Sequence, residues 1–149
     1  MILSTILALA AIFGLAWPSK STFTLPRLIS WGMAVAVLWF IVAGDRLRHY
    51  GLYTYMAFVG LSFAYGLRKL PVSVFSGIVV ALMSASIFAY WLWVLNHWHG
   101  NALLLPSLTL LTGVVAVAGK ARLRNELGFL VIMAADALAI LLEYWMKMP

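Results

Sequence analysis

The sequence predicts an all-α fold, a polytopic bundle of about six transmembrane helices in one membrane domain spanning residues 1–149. Three observations carry that prediction. The chain is 65% hydrophobic and only 9% charged, whereas a soluble domain is about half apolar and about a quarter charged. Its apolar residues fall into six runs separated by short polar breaks. One domain's worth of residues cannot bury that much apolar surface in a soluble core, so lipid must solvate most of it.

The runs are taken in chain order. The first, 2–17, closes at Pro18-Ser19-Lys20. It lacks a basic stretch before its apolar residues and a small-residue cleavage site before Trp17, so it reads as a retained helix and not a signal peptide. The second, 28–43, opens after Pro26-Arg27 and closes at Gly44-Asp45-Arg46. The third, 50–67, closes at Arg68-Lys69. The fourth, 72–95, follows Pro71 and ends at Asn96-His97-Trp98-His99-Gly100-Asn101. The fifth, 102–118, closes at Gly119-Lys120, and the sixth is 127–145. A spanning helix needs about 20 apolar residues, so the first two runs sit at the short limit: either flanking residues extend them or one is only partly inserted.

The net charge of +6 lies mostly in short loops, which suits topology and anionic headgroups and excludes a nucleic-acid role. With six spans, Lys20, Arg27, Arg68, Lys69, Lys120, Arg122 and Arg124 share one side. Arg46, Arg48 and Lys147 share the other. The positive-inside rule then puts both termini outside, with a bacterial inner membrane as the expected location. Trp17, Trp91, Trp93, Trp98, Tyr50, Tyr90, Tyr144 and Trp145 lie near predicted span ends, where amphipathic rings suit the headgroup layer. Membrane lipids are the expected partners, together with other membrane subunits or further copies of the chain.

In the fourth run Gly77, Ala81, Ala85 and Ala89 recur every four residues. They form a ridge that lets helices approach closely, either inside the bundle or against a partner subunit.

There is no cysteine, which excludes disulfides, thiolate metal sites and thiol nucleophiles. The acids are Asp45, Glu126, Asp136 and Glu143, and the histidines are His49, His97 and His99. Asp136 stands inside an apolar run, where a carboxylate costs about 2.5–3.5 kcal/mol on insertion scales and calls for a protein partner, water or a cation. Glu143 lies seven residues on, on nearly the same helix face and about 10 Å along the axis. Its neighbours Tyr144 and Trp145 mark it as interfacial. His97 and His99 are two apart in a loop-like stretch, a poor match to the i, i+4 spacing of helical metal ligands. No metal site or cofactor follows from these residues.

Two stretches have a further meaning. Residues 38–47 are an apolar run ending in Gly44-Asp45, and residues 128–139 carry Gly128, then Ala135-Asp136, with Tyr144 eight beyond the acid. Leu105-Pro106 lies between them. Together these resemble the YhhN-type lysoplasmalogenase family, membrane hydrolases of the lysoplasmalogen vinyl ether. The resemblance implies that Asp45 and Asp136 form a catalytic acid/base pair, one protonating the vinyl ether and one activating water. The chain departs from the family in having six runs against about eight spans. It also reads Tyr55-Met-Ala-Phe-Val-Gly60 where that family often carries a histidine.

Three functions compete on these residues. Small size, short loops and few interior polar groups point first to a non-catalytic subunit or accessory protein of a larger membrane complex. The alternatives are the lipid hydrolase and a small proton- or cation-coupled transporter using Asp136.

Overall fold

A computed structural model describes residues 2–16, 24–119 and 126–148. Within them the chain forms six α-helices: α1 (Ile2–Ala16), α2 (Thr24–Val42), α3 (Asp45–Lys69), α4 (Val74–Leu95), α5 (Leu104–Ala118) and α6 (Leu127–Lys147). Every predicted run is a helix, and the boundaries move for local reasons. Pro26 lies inside the first turn of α2, where its missing N–H costs nothing. The break between α2 and α3 shrinks to Ala43-Gly44, and Asp45 opens α3 as an acid in its first turn, the favourable end of the helix dipole. Arg46, Arg48 and His49, expected in a loop, are therefore helical. Trp17, Lys20, Lys120, Arg122 and Arg124 fall outside the described residues.

The six helices differ in length and in apolar content. Among the described residues, three segments are both long and apolar enough to cross a membrane: Leu25–Val42, Val74–Leu95 and Leu127–Lys147. Helices α1 and α5 are apolar but have 15 residues each, about 22 Å of helix against a hydrocarbon core of about 30 Å. Helix α3 has 25 residues, ample length, but its ends carry Asp45, Arg46, Arg48, His49, Arg68 and Lys69.

Each helix packs on its sequence neighbours, α6 closes the ring onto α1, and α6 also reaches α2 and α4. Neighbours run antiparallel. Along α3 and α4, Gly66 meets Ala81, Ser62 bonds Ser84 and Gly60 faces Phe88, one number falling as the other rises. Ser86 and Thr109 join α4 to α5 through hydroxyls 2.6 Å apart. The interior is filled by Ile29 and Met33 of α2, Val59 of α3, Val80 and Ile87 of α4, and Phe129, Ile132 and Met133 of α6, all fully buried.

Small residues set the closest approaches, as expected where lipid offers apolar side chains no reason to prefer each other. Half of the α4 ridge is used in this way. Gly77 lies against the Gly66 carbonyl and Leu70, and Ala81 against Gly66. The ridge thus packs inside the bundle at Gly77 and Ala81, while Ala85 and Ala89 are half-buried. A Cβ at Gly66 would stand 2.6 Å from the Ala81 backbone nitrogen, so no rotamer change relieves it. Gly66→Val is expected to lower stability by about 1–3 kcal/mol through overpacking, read as a lower thermal midpoint in detergent.

Candidate functional site

Asp136 reaches its position because α6 is the helix with the most neighbours. Ile132, Met133 and Ala137 around it are fully buried, and Asp136 itself is 7% exposed. Its Oδ2 accepts two hydrogen bonds, from the Tyr55 hydroxyl of α3 at 3.1 Å and from the Trp91 indole Nε1 of α4 at 2.9 Å. Both donors are neutral. Among the described residues Asp136 makes no ion pair.

The carboxylate stands in the wall of a cavity of about 380 Å³, within the common range of about 300–1,000 Å³ for small-molecule sites. Leu3, Ser4 and Leu7 of α1, Ala36, Val37, Phe40 and Ile41 of α2, and Gly51, Leu52 and Tyr55 of α3 line it, with Trp91 of α4 and Ala139 and Ile140 of α6. Arg48 and Glu143 also line it, and their side chains are 46% and 51% exposed. These two mark the mouth, and Asp136 the floor. The cavity therefore opens at the end of the bundle that holds the α2–α3 connection, the start of α1 and the end of α6. Its chemistry is an apolar sleeve with one buried acid below and one base and one acid above.

At the mouth, Arg48 is held by its own surroundings. Its Nε donates to the Phe40 carbonyl at 3.2 Å, its guanidinium lies 4.8 Å from the Phe40 ring centre, and it approaches Asp45 at 3.8 Å. Glu143 pairs with Lys147 at 2.5 Å, which agrees with its interfacial reading. Asp45 shares this end of the bundle, but its side chain is fully exposed and it is not among the residues lining the cavity. The structure thus brings Asp136 and Glu143 to one cavity and leaves Asp45 outside it.

His97 and His99 are exposed in the α4–α5 connection, with His97 at φ 51°. Among the described residues no group of three or more His, Cys, Asp or Glu side chains assembles for a metal.

Sequence reading missed the partners. Trp91, assigned to a headgroup belt, points inward to Asp136. Tyr55 carries no role of its own in the sequence reading. The available signal was physical: a Tyr or Trp in mid-helix must find an acceptor when buried.

A second buried acid was also missed. Glu126 sits one residue before α6 and is completely buried. Its Oε1 accepts from the Tyr65 hydroxyl at 2.6 Å and from Lys69 Nζ. Its Oε2 is buried with no hydrogen-bond partner among the described residues. Tyr65 in turn meets Phe129 edge-on, ring centres 6.3 Å apart. Glu126 and Asp136 are ten residues apart, hence about 15 Å along α6, with fully buried Phe129, Ile132 and Met133 between them. The bundle is thus hollow at one end, dry in the middle and ion-paired at the other.

Comparison with protein-family models, with curated proteins and with solved structures finds no match for this chain.

Proposed function

We propose that this chain is a small multi-pass membrane protein that crosses the bilayer six times and transports a small amphipathic solute, with Asp136 as the binding group. One observation carries the reading. The intramembrane carboxylate opens into a cavity and is met by two neutral donors, with no base on it among the described residues. A carboxylate kept for structure is usually paired. This one is left for a cation, a protonated amine or a proton to satisfy, inside a sleeve that suits an apolar body. Helices α1 and α5 cross where the bilayer thins locally or where flanking residues extend them. By the positive-inside rule the cavity mouth faces away from the cytoplasm, because in a six-span reading of the sequence seven Lys and Arg fall on the side opposite Arg46, Arg48 and Lys147.

The test uses purified protein in liposomes with ethidium, a lipophilic aromatic cation, as the probe. Ethidium is expected to enter the liposomes with the unaltered chain and to stop doing so with Asp136→Asn. Equal uptake by both, or none by the unaltered chain, removes this reading.

A second reading rests on a specific coincidence. The two acids of the lysoplasmalogenase-like motifs stand at the same end of the bundle, Asp136 in the cavity and Asp45 at the head of α3, the helix that supplies Arg48 and Tyr55 to it. In this reading Asp136 protonates the vinyl ether and water completes hydrolysis, releasing a fatty aldehyde. It stands second because Asp45 is fully exposed and outside the cavity lining. Aldehyde release from a lysoplasmalogen, lost in both Asp136→Asn and Asp45→Asn, would put it first.

The subunit reading rests on small size, short loops, few interior polar groups and the α4 ridge, of which α3 covers the Gly77 and Ala81 part. Membrane proteins that co-purify in mild detergent would favour it, whereas a lone monodisperse species of 16.5 kDa counts against it.

A further inference from the structure

Helices α3 and α6 face each other with their backbones held apart. Their backbones make no close approach among the described residues, although both pack closely on α4 and α2. What joins them is side chains. Tyr55 bonds Asp136 near the cavity, and Tyr65 bonds Glu126 at the far end. The two tyrosines are ten residues apart on α3, and the two acids are ten apart on α6, so the antiparallel helices carry one bridge at each end of a seam about 15 Å long.

Between the bridges lie Ser62 of α3 and Met133 of α6. Ser62 and Ser84 hydroxyls are 2.6 Å apart, and Ser84 Oγ is 3.8 Å from Met133 Sδ. A methionine is an unbranched side chain that repacks easily. A seam closed by side chains opens by changes of rotamer, whereas the α3–α4 contact, where Gly66 sits against Ala81 backbone, opens only if a helix moves.

We infer that the Tyr65–Glu126–Lys69 cluster is the gate that closes the far end of this seam, with Met133 as the plug between gate and cavity. The inference rests on the transport reading for what passes, but not for whether the seam opens. Glu126 is fully buried and the Lys69 side chain is 16% exposed, so the pair shields the carboxylate from solvent while it holds. When both charges go, the ion pair between α3 and α6 at that end is lost, and what remains there includes the Tyr65 hydroxyl on the residue 126 side chain.

Because the chain has no cysteine, Met133→Cys supplies a single reporter thiol. The probe is a membrane-impermeant maleimide added to inverted membrane vesicles, which present the basic end, and to intact cells, which present the other. With Met133→Cys alone, labelling is expected from neither side. With the added pair Lys69→Gln and Glu126→Gln, labelling from the basic end is expected to rise at least about tenfold, the signature of a local opening. Tyr65→Phe, which keeps the ion pair and removes one bridge, is the second background and decides alone if the double variant does not fold. No rise in either folded background overturns the gate. A rise with no ethidium uptake by the unaltered chain leaves the gate standing and removes the transport reading.

Discussion

Lys69→Met is expected to be the most destabilising single substitution among the polar groups of this protein, by about 3–5 kcal/mol. The reason is what it leaves behind. The Glu126 side chain is 1% exposed and that of Lys69 16% exposed, so Glu126 would keep a full charge out of water with only the Tyr65 hydroxyl on Oε1. Its Oε2 already lacks a partner among the described residues. Removing one member of a buried pair costs far more than removing both, because the survivor cannot be resolvated. Lys69→Met combined with Glu126→Leu is therefore expected to recover most of the loss. The measurement is the thermal or denaturant midpoint of the purified protein in detergent for the two single variants and the double. If Lys69→Met unfolds with an unchanged midpoint, the pair does not hold the far end of the bundle together.

At Asp136 the expectation runs the other way, with function lost and stability kept. Asp136→Asn retains a carbonyl oxygen at the place of Oδ2, so Tyr55 and Trp91 keep an acceptor, and a charge is removed from an apolar wall. Its stability is expected to stay within about 1 kcal/mol of the parent, while ethidium uptake falls to background. Asp136→Leu removes the acceptor as well and strands two donors, at about 1–3 kcal/mol for each buried group left unpaired. The pair of variants separates binding from support. If Asn destabilises as much as Leu, the charge itself is structural. If Asn keeps both stability and uptake, Asp136 is not the binding group.

Both predictions rest on features that were unequally legible in the sequence. The long apolar runs announced helices because a backbone in lipid must satisfy its own hydrogen bonds. Asp136 stood out because a charge in such a run has a known cost. The Glu143 face relation followed from helical geometry alone. Glu126 did not stand out, since an acid just before an apolar run looks like any solvated helix start. Only the arrival of Tyr65 and Lys69 from α3, 61 and 57 residues away in the chain, makes it a buried ion pair. Trp91 was misassigned because nearness to a span end is a statement about depth, and depth does not say which face of the helix a ring takes.

By itself, then, the sequence determined the class of solvent, the helices and the identity of one costly acid, because these follow from composition and from interactions within a few residues. Tertiary structure alone decided that Asp136 meets Tyr55 and Trp91, that Arg48 enters the cavity while Asp45 stays in the open, and that α3 and α6 are joined by side chains only. Those outcomes depend on which helices adjoin and on their rotation about their own axes. Small residues such as Gly66 and Ala81 set that rotation by close contact, which no periodicity within a single helix encodes.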